Sequence, residues 1–295
     1  MNTRTYAGTW TALITPFQKN GSIDEEALRK LVKRQIANGV TGIVPLGTTG
    51  ESPTTNGIHE DPNVFEICEE EAHGKVLVMA GTGSNSTHEA ILHTEFAKKA
   101  GADCCLVVCP YYNKPTQEGL RRHFLEVANV GLPIIVYNIK GRTGVNMSTE
   151  TLMVIAEHEM IQGVKEASGD LDQIREVIKN RPDDFTVLSG DDGLTLEVMK
   201  MGGDGVISVA SNIVPKEISE MVNCALSGNF EEAEKIDTYL RDMFGKLFLE
   251  TNPIPVKYVV SKIGLCELQY RLPMCEPSEE SQKILDTMMH SYSLI

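Results

Sequence analysis

The chain has 295 residues, 41% hydrophobic and 23% charged, enough apolar material for one large core. Its formal charge of −14 argues against a nucleic-acid ligand, whose phosphates need a basic face, and it means that a small anion must be met by locally placed cations or backbone donors. No apolar run approaches the ~18 residues of a membrane span, and seven cysteines, odd in number and irregular in spacing, fit a reducing cytoplasmic setting better than a disulfide framework.

Short β-rich runs recur along the chain with helical patterns between them. The N-terminal stretch lacks a cationic leader, and its run TWTALIT (9–15) reads as a first strand. Ser22, with Glu25 three residues on, predicts a capping box, after which Leu28, Leu31, Val32 and Ile36 share one face up to Gly39. TGIVPLG (41–47) and VLVMAG (76–81) follow as strands. GTGSNS (81–86) lacks the third glycine of a dinucleotide fingerprint and reads as a tight turn, leading into a helix opened by Ser86 and Glu89 and closed at Gly101. DCCLVVCP (103–110) reads as a buried strand whose cysteines are small core residues rather than metal ligands. PIIVYN (133–138) and IQGVKEAS (161–168) come next, and Asp170 opens a helix with Ile174, Val177 and Ile178 on its inner face. FTVLSGD (185–191) and DGVISVAS (204–211) complete eight runs. Residues 230–290 read as helical, with Ile236, Leu240, Met243, Phe244 and Leu247 in one stripe and Pro253 and Pro255 starting a further helix.

Strand starts 19 to 35 residues apart are the spacing of βα units rather than hairpins. The expected fold is therefore α/β, a (β/α)8 TIM barrel over residues 1–228, with a C-terminal helical extension, 229–295, packed on it. In such barrels the reacting groups project from the C-terminal ends of the strands. Lys165 stands at one of those ends. An amine there is partly desolvated, its charged form is disfavoured, and the neutral form can attack a ketone to give an imine that acts as an electron sink. Taken alone, Lys165 could equally reach solvent or pair with Glu166.

Its companions shift that balance. Tyr137, Thr48 and Tyr112 are hydroxyls at strand ends, suited to taking and returning the proton that enamine chemistry moves. Each has a plainer reading too: Tyr137 as a core-edge aromatic, Thr48 and Thr49 as helix caps, Arg142 as a surface residue. Thr49 with neighbouring amides could hold a keto acid's carboxylate, and Arg142 that of a second substrate. The seven histidines show no HxH or HExxH spacing, so no metal is expected.

GTTGES, YYNKPTQEGL, YN-x3-RTG, GVKEASGDL, SGDD and GGDGVISVASN occur in this order over residues 47–212. Together they resemble the dihydrodipicolinate synthase family of pyruvate-dependent class I aldolases, which also holds N-acetylneuraminate lyase. The resemblance covers nearly the whole chain. It implies a pyruvate Schiff base on Lys165, with Tyr137 as the central acid–base, Thr48 and Tyr112 as a proton relay, and Tyr112 serving a neighbouring subunit. It further implies Thr49 on the pyruvate carboxylate, the backbones of Gly190 and Ile207 lining the pocket, and Arg142 on the carboxylate of aspartate 4-semialdehyde. No cofactor or metal is implied, and the usual assembly is a homotetramer, a dimer of dimers.

Two departures stand out. Lys140 occupies the position where the family pattern has proline, which frees φ and adds a donor and a cation beside Arg142. The segment TTNGIHEDPNVF (54–65) is one residue longer than usual; it offers His59 out of register, with Gly57 and Glu60 at the positions of the family's histidines. Asn85, Glu89 and Tyr111 match the family's allosteric lysine site, so a weakened inhibitor site is the expectation. The alternatives are another pyruvate-dependent aldolase acting on a sugar-acid partner, and a non-catalytic ligand-binding barrel.

Overall fold

The computed structural model describes residues 5–295. The eight runs become eight parallel strands: β1 (Gly8–Ala12), β2 (Gly42–Val44), β3 (Leu77–Gly81), β4 (Cys104–Val108), β5 (Ile134–Asn138), β6 (Ile161–Glu166), β7 (Thr186–Ser189) and β8 (Gly205–Ser208). They pair in sequential order, and β8 returns to β1 to close a barrel, so the expected (β/α)8 architecture with added C-terminal helices is the observed one.

Alternation along the strands divides the core in two. Trp10, Val44, Met79, Cys104, Leu106, Ile135, Tyr137, Leu188 and Ile207 fill the barrel interior. Their strand neighbours Ile43, Val78, Cys105, Val107, Val136, Val187 and Val206 pack outward against the helices. Both faces are covered, which is why these strands read as continuous apolar runs. Cys104, Cys105 and Cys109 are free and buried, the core role expected of them, and Cys68 is free and buried as well. Gly42 makes room for the interior tryptophan: a Cβ there would lie 2.3 Å from the Trp10 ring.

The helix starts follow local capping chemistry, with one correction. The helix Glu25–Ala37 is capped by Asp24, whose side chain accepts from Ala27 N, and not by Ser22. The Ser22 amide and hydroxyl both turn to Asn20 Oδ1, and Asp24, directly before the first helical residue, takes the cap. Ser86 caps the helix Thr87–Ala100, which ends at left-handed Gly101, and Asp170 caps Leu171–Asn180. Beyond the barrel, the helix Phe230–Lys246 buries Leu240, Met243 and Phe244. The helix Ile254–Lys262 is buried from Ile254 through Val260 and packs against the turn that follows β8. Among the described residues no helix is long and apolar enough to cross a membrane.

Candidate active site

The register of β5 against β6 sets Tyr137 opposite Lys165 and Asn138 opposite Glu166. Successive side chains leave a strand on opposite faces, so the first pair points into the barrel and the second out of it. Lys165 is 6% exposed, and its Nζ lies 4.1 Å from the centre of the Tyr137 ring. Burial is the main cause that lowers the amine to about 7; the Asp192 carboxylate opposes the shift and the Arg142 guanidinium adds to it. Glu166 is not its partner. The carboxylate accepts from Asn138 Nδ2, at 3.2 Å to each oxygen, and from Ser168 N at 2.8 Å. Of the open readings of Lys165, neither the solvent-reaching one nor the Glu166 pair describes it.

Tyr137 is buried, and burial pushes its phenol up to about 12, with Arg142 and a hydrogen bond to Thr48 acting the other way. Thr48 belongs to the tight turn after β2, in which Gly50 N donates to Gly47 O and Glu51 N to Thr48 O. The turn is braced at several points. The Thr15 hydroxyl donates to Gly50 O at 2.6 Å. Glu51, left-handed at φ 56°, accepts from Lys257 Nζ at 2.5 Å, and both side chains are fully buried. Lys257 also lies 4.1 Å over the Phe17 ring. A non-glycine residue at positive φ is held by such surrounding contacts, here those that shape the Thr48–Thr49 loop.

Thr49 Oγ1 accepts from Asn252 Nδ2 at 2.9 Å, and Arg142 Nη2 donates to the Asn252 carbonyl at 2.8 Å. Arg142 is carried by a single helical turn, Lys140–Thr143, which Lys140 opens. Gly190 closes the site beside the lysine: a Cβ there would stand 3.1 Å from Lys165 Cε. Ile207 points inward from β8. Asp192, fully buried, takes Val209 N and Ala210 N on one oxygen at 2.9 and 3.0 Å, while its other oxygen has no hydrogen-bond partner.

A cavity of about 650 Å³ reaches Tyr137, Thr48 and Arg142 of this group. Thr48, Tyr137 and Arg142 line it together with Ser84, Glu89, His93 and Tyr111. Within one chain, then, Lys165 meets Tyr137 and Gly190, Tyr137 meets Thr48, Asn252 joins Thr49 to Arg142, and Ile207 shares the inner core cluster with Tyr137. Tyr112 does not join them: it is 88% exposed, with φ at 71°, and does not line the cavity. Glu89 accepts from the Ser84 hydroxyl at 2.6 Å, and the Asn85 carbonyl accepts from Asn113. Among the described residues no group of three or more His, Cys, Asp or Glu side chains is arranged to hold a metal ion.

Sequence reasoning missed Asn252, Lys257 and the charge role of Asp192. Asp192 belongs to the SGDD motif, and Asn252 directly precedes Pro253, which marks only a helix start; for Lys257 no local signal exists.

This arrangement can carry imine chemistry: a desolvated amine, a phenol–hydroxyl pair beside it, and donors for two separate anionic groups. The family model for the dihydrodipicolinate synthetase family matches residues 5–291. A 4-hydroxy-tetrahydrodipicolinate synthase from Citrifermentans bemidjiense is 49% identical over 291 residues, covering 98% of this chain and all of the relative. The crystal structure of dihydrodipicolinate synthase from Aquifex aeolicus is 47% identical and superimposes with a TM-score of 0.96, covering 98% of this chain and 99% of that one. A chloride-inhibited dihydrodipicolinate synthase from Acinetobacter baumannii, complexed with pyruvate, is 39% identical with a TM-score of 0.95 over 98% and 99% of the two chains.

Proposed function

The chain belongs to the dihydrodipicolinate synthetase family, and we propose that it condenses pyruvate with L-aspartate 4-semialdehyde to 4-hydroxy-tetrahydrodipicolinate, in lysine and diaminopimelate biosynthesis. The observation that carries this reading is the buried Lys165 amine, lowered to about 7 and set against the Tyr137–Thr48 pair.

In this reading the neutral Lys165 amine adds to the keto carbon of pyruvate, and the carbinolamine takes a proton from the Tyr137–Thr48 relay and loses water to give a protonated imine. The imine withdraws electrons, C3 gives up a proton, and an enamine forms. The enamine carbon attacks the aldehyde carbon of the second substrate, a carbon–carbon bond forms, and the aldehyde oxygen takes a proton. The substrate's own amine then attacks the imine carbon, closing the ring and releasing Lys165 by transimination. Tyr137 takes and returns protons through Thr48. Its raised pKa keeps the phenol protonated at neutral pH, as a relay donor must be. Thr49 holds the pyruvate carboxylate, Gly190 and Ile207 bound the pocket, and Arg142 receives the second carboxylate.

The relay's third member in this proposal is Tyr112 of the partner subunit, in a homotetramer built as a dimer of dimers. Its 88% exposure and strained φ in the single chain suit a residue seated by a neighbour. We place the enzyme in the cytoplasm, a setting in keeping with seven free cysteines, and take residues 1–228 as the barrel and 229–295 as its helical extension. The competing aldehyde class is a sugar aldehyde. A substrate panel with pyruvate decides between them: turnover with aspartate 4-semialdehyde and none with the sugar aldehydes supports the proposal, and the reverse overturns it.

A further inference from the structure

Thr49 and Arg142 are joined through one residue, 203 positions from the first and 110 from the second. The Asn252 side-chain amide donates to Thr49 Oγ1 at 2.9 Å, and its backbone carbonyl accepts from Arg142 Nη2 at 2.8 Å. Asn252 is 5% exposed, and its Oδ1 is buried with no hydrogen-bond partner. Leaving a buried acceptor unpaired is costly, so this amide orientation needs a compensating use for the NH2 group.

That use follows from what a hydroxyl can do. Threonine has one proton to give and two lone pairs to receive. With an amide N–H on one lone pair, the hydroxyl proton stays available, and an anion in the barrel mouth requires a donor. We infer that Asn252 is a positioning residue: it fixes the Thr49 hydroxyl as a donor toward the carboxylate of the keto acid, and its carbonyl steadies Arg142 for the second substrate. The inference rests on the keto-acid chemistry proposed above.

The two halves of this role are separable. The bond to Arg142 uses the backbone and survives any side-chain substitution; the bond to Thr49 does not. Asn252→Asp replaces the donor by an acceptor of nearly the same shape. The Thr49 proton then turns to the introduced carboxylate, and a negative charge stands beside the anion's place. A merely structural asparagine would tolerate this isosteric change better than truncation. A polarity-setting one tolerates it worse.

The test is the pyruvate dependence of borohydride-trapped adduct formation, together with the KM for the aldehyde, in wild type, Asn252→Ala, Asn252→Asp, Thr49→Val and the Asn252→Ala/Thr49→Val double variant. Half-saturating pyruvate should rise about tenfold in Asn252→Ala and about 100-fold in Asn252→Asp, with the aldehyde KM within about twofold of wild type. In the Thr49→Val background, Asn252→Ala should add nothing. Additive losses, an alanine variant worse than the aspartate variant, or equal damage to both substrates would overturn the inference. If Asn252→Asp does not fold, the alanine cycle decides alone. A wild type that forms no adduct overturns the underlying reading; a normal wild-type adduct with unchanged pyruvate dependence in the Asn252 variants overturns only the role of Asn252.

Discussion

Tyr137 and Lys165 face each other across adjacent strands, with the amine nitrogen 4.1 Å from the centre of the phenol ring. Parallel pairing fixes this relationship in the backbone, so the acid–base group and the nucleophile cannot drift apart without the barrel itself deforming. The same register sends Asn138 and Glu166 outward, where they bond each other, so the carboxylate on the amine's own strand is not its partner.

The lowered amine gives imine formation a definite pH dependence. Below about 7 Lys165 is increasingly protonated and cannot attack. The rate of adduct formation at subsaturating pyruvate should therefore rise about tenfold per pH unit up to that point and level off above it. The linkage to stability has the same sign. Between about 7 and the ordinary 10.5 the unfolded chain holds a proton that the folded chain has released, so the group's destabilising effect is full below this window and fades as pH rises through it. Unfolding midpoints of wild type and Lys165→Met should converge as the pH is raised from 6 to 9.

Tyr137→Phe removes the hydroxyl that meets Thr48 and keeps the ring beneath the amine. Pyruvate should still be trapped on the protein, while turnover falls by about 10²-fold or more, the scale of general acid–base catalysis. Steady-state rates beside adduct mass measure both; undiminished turnover would take the phenol out of the mechanism.

Arg142→Ala should raise the KM for the aldehyde and leave adduct formation with pyruvate near wild type. The guanidinium is held by a backbone carbonyl at the cavity wall and not by the lysine. Equal loss of both steps would mean that the arginine supports the loop and does not meet substrate.

Glu89 and Tyr111, which line the same cavity, make a separate prediction. We propose that Asn85, Glu89 and Tyr111 retain part of a lysine inhibitor site. Glu89 already accepts from Ser84, and the space over Gly57 is taken by His93, whose Nε2 would lie 2.5 Å from a Cβ there. Steady-state assays should show inhibition only at millimolar lysine; nanomolar-to-low-micromolar inhibition would contradict a weakened site.

How far the sequence reveals this molecule depends on the distance over which each feature is written. The eight strands are legible because burial on both faces leaves an apolar run in place, and Ser86, Gly101 and Asp170 mark helix ends through contacts three or four residues long. The Ser22–Glu25 capping box misleads because Asp24 is nearer the first helical residue and Asn20 captures the serine. Lys165 and Tyr137 can be placed as strand-end groups, but whether they meet is a matter of register, which no local pattern states. Asn252 and Lys257 are farther out of reach. Each acts on the 47–52 turn across more than 200 residues, and only the docking of the C-terminal helix brings them there.

Lys165 is the proposed covalent attachment point, and peptide mapping of the borohydride-reduced pyruvate adduct tests this most directly. One pyruvate-derived mass increment per chain on the peptide that contains Lys165, absent in Lys165→Ala, is the predicted result. No increment, or one carried by another lysine, would contradict it.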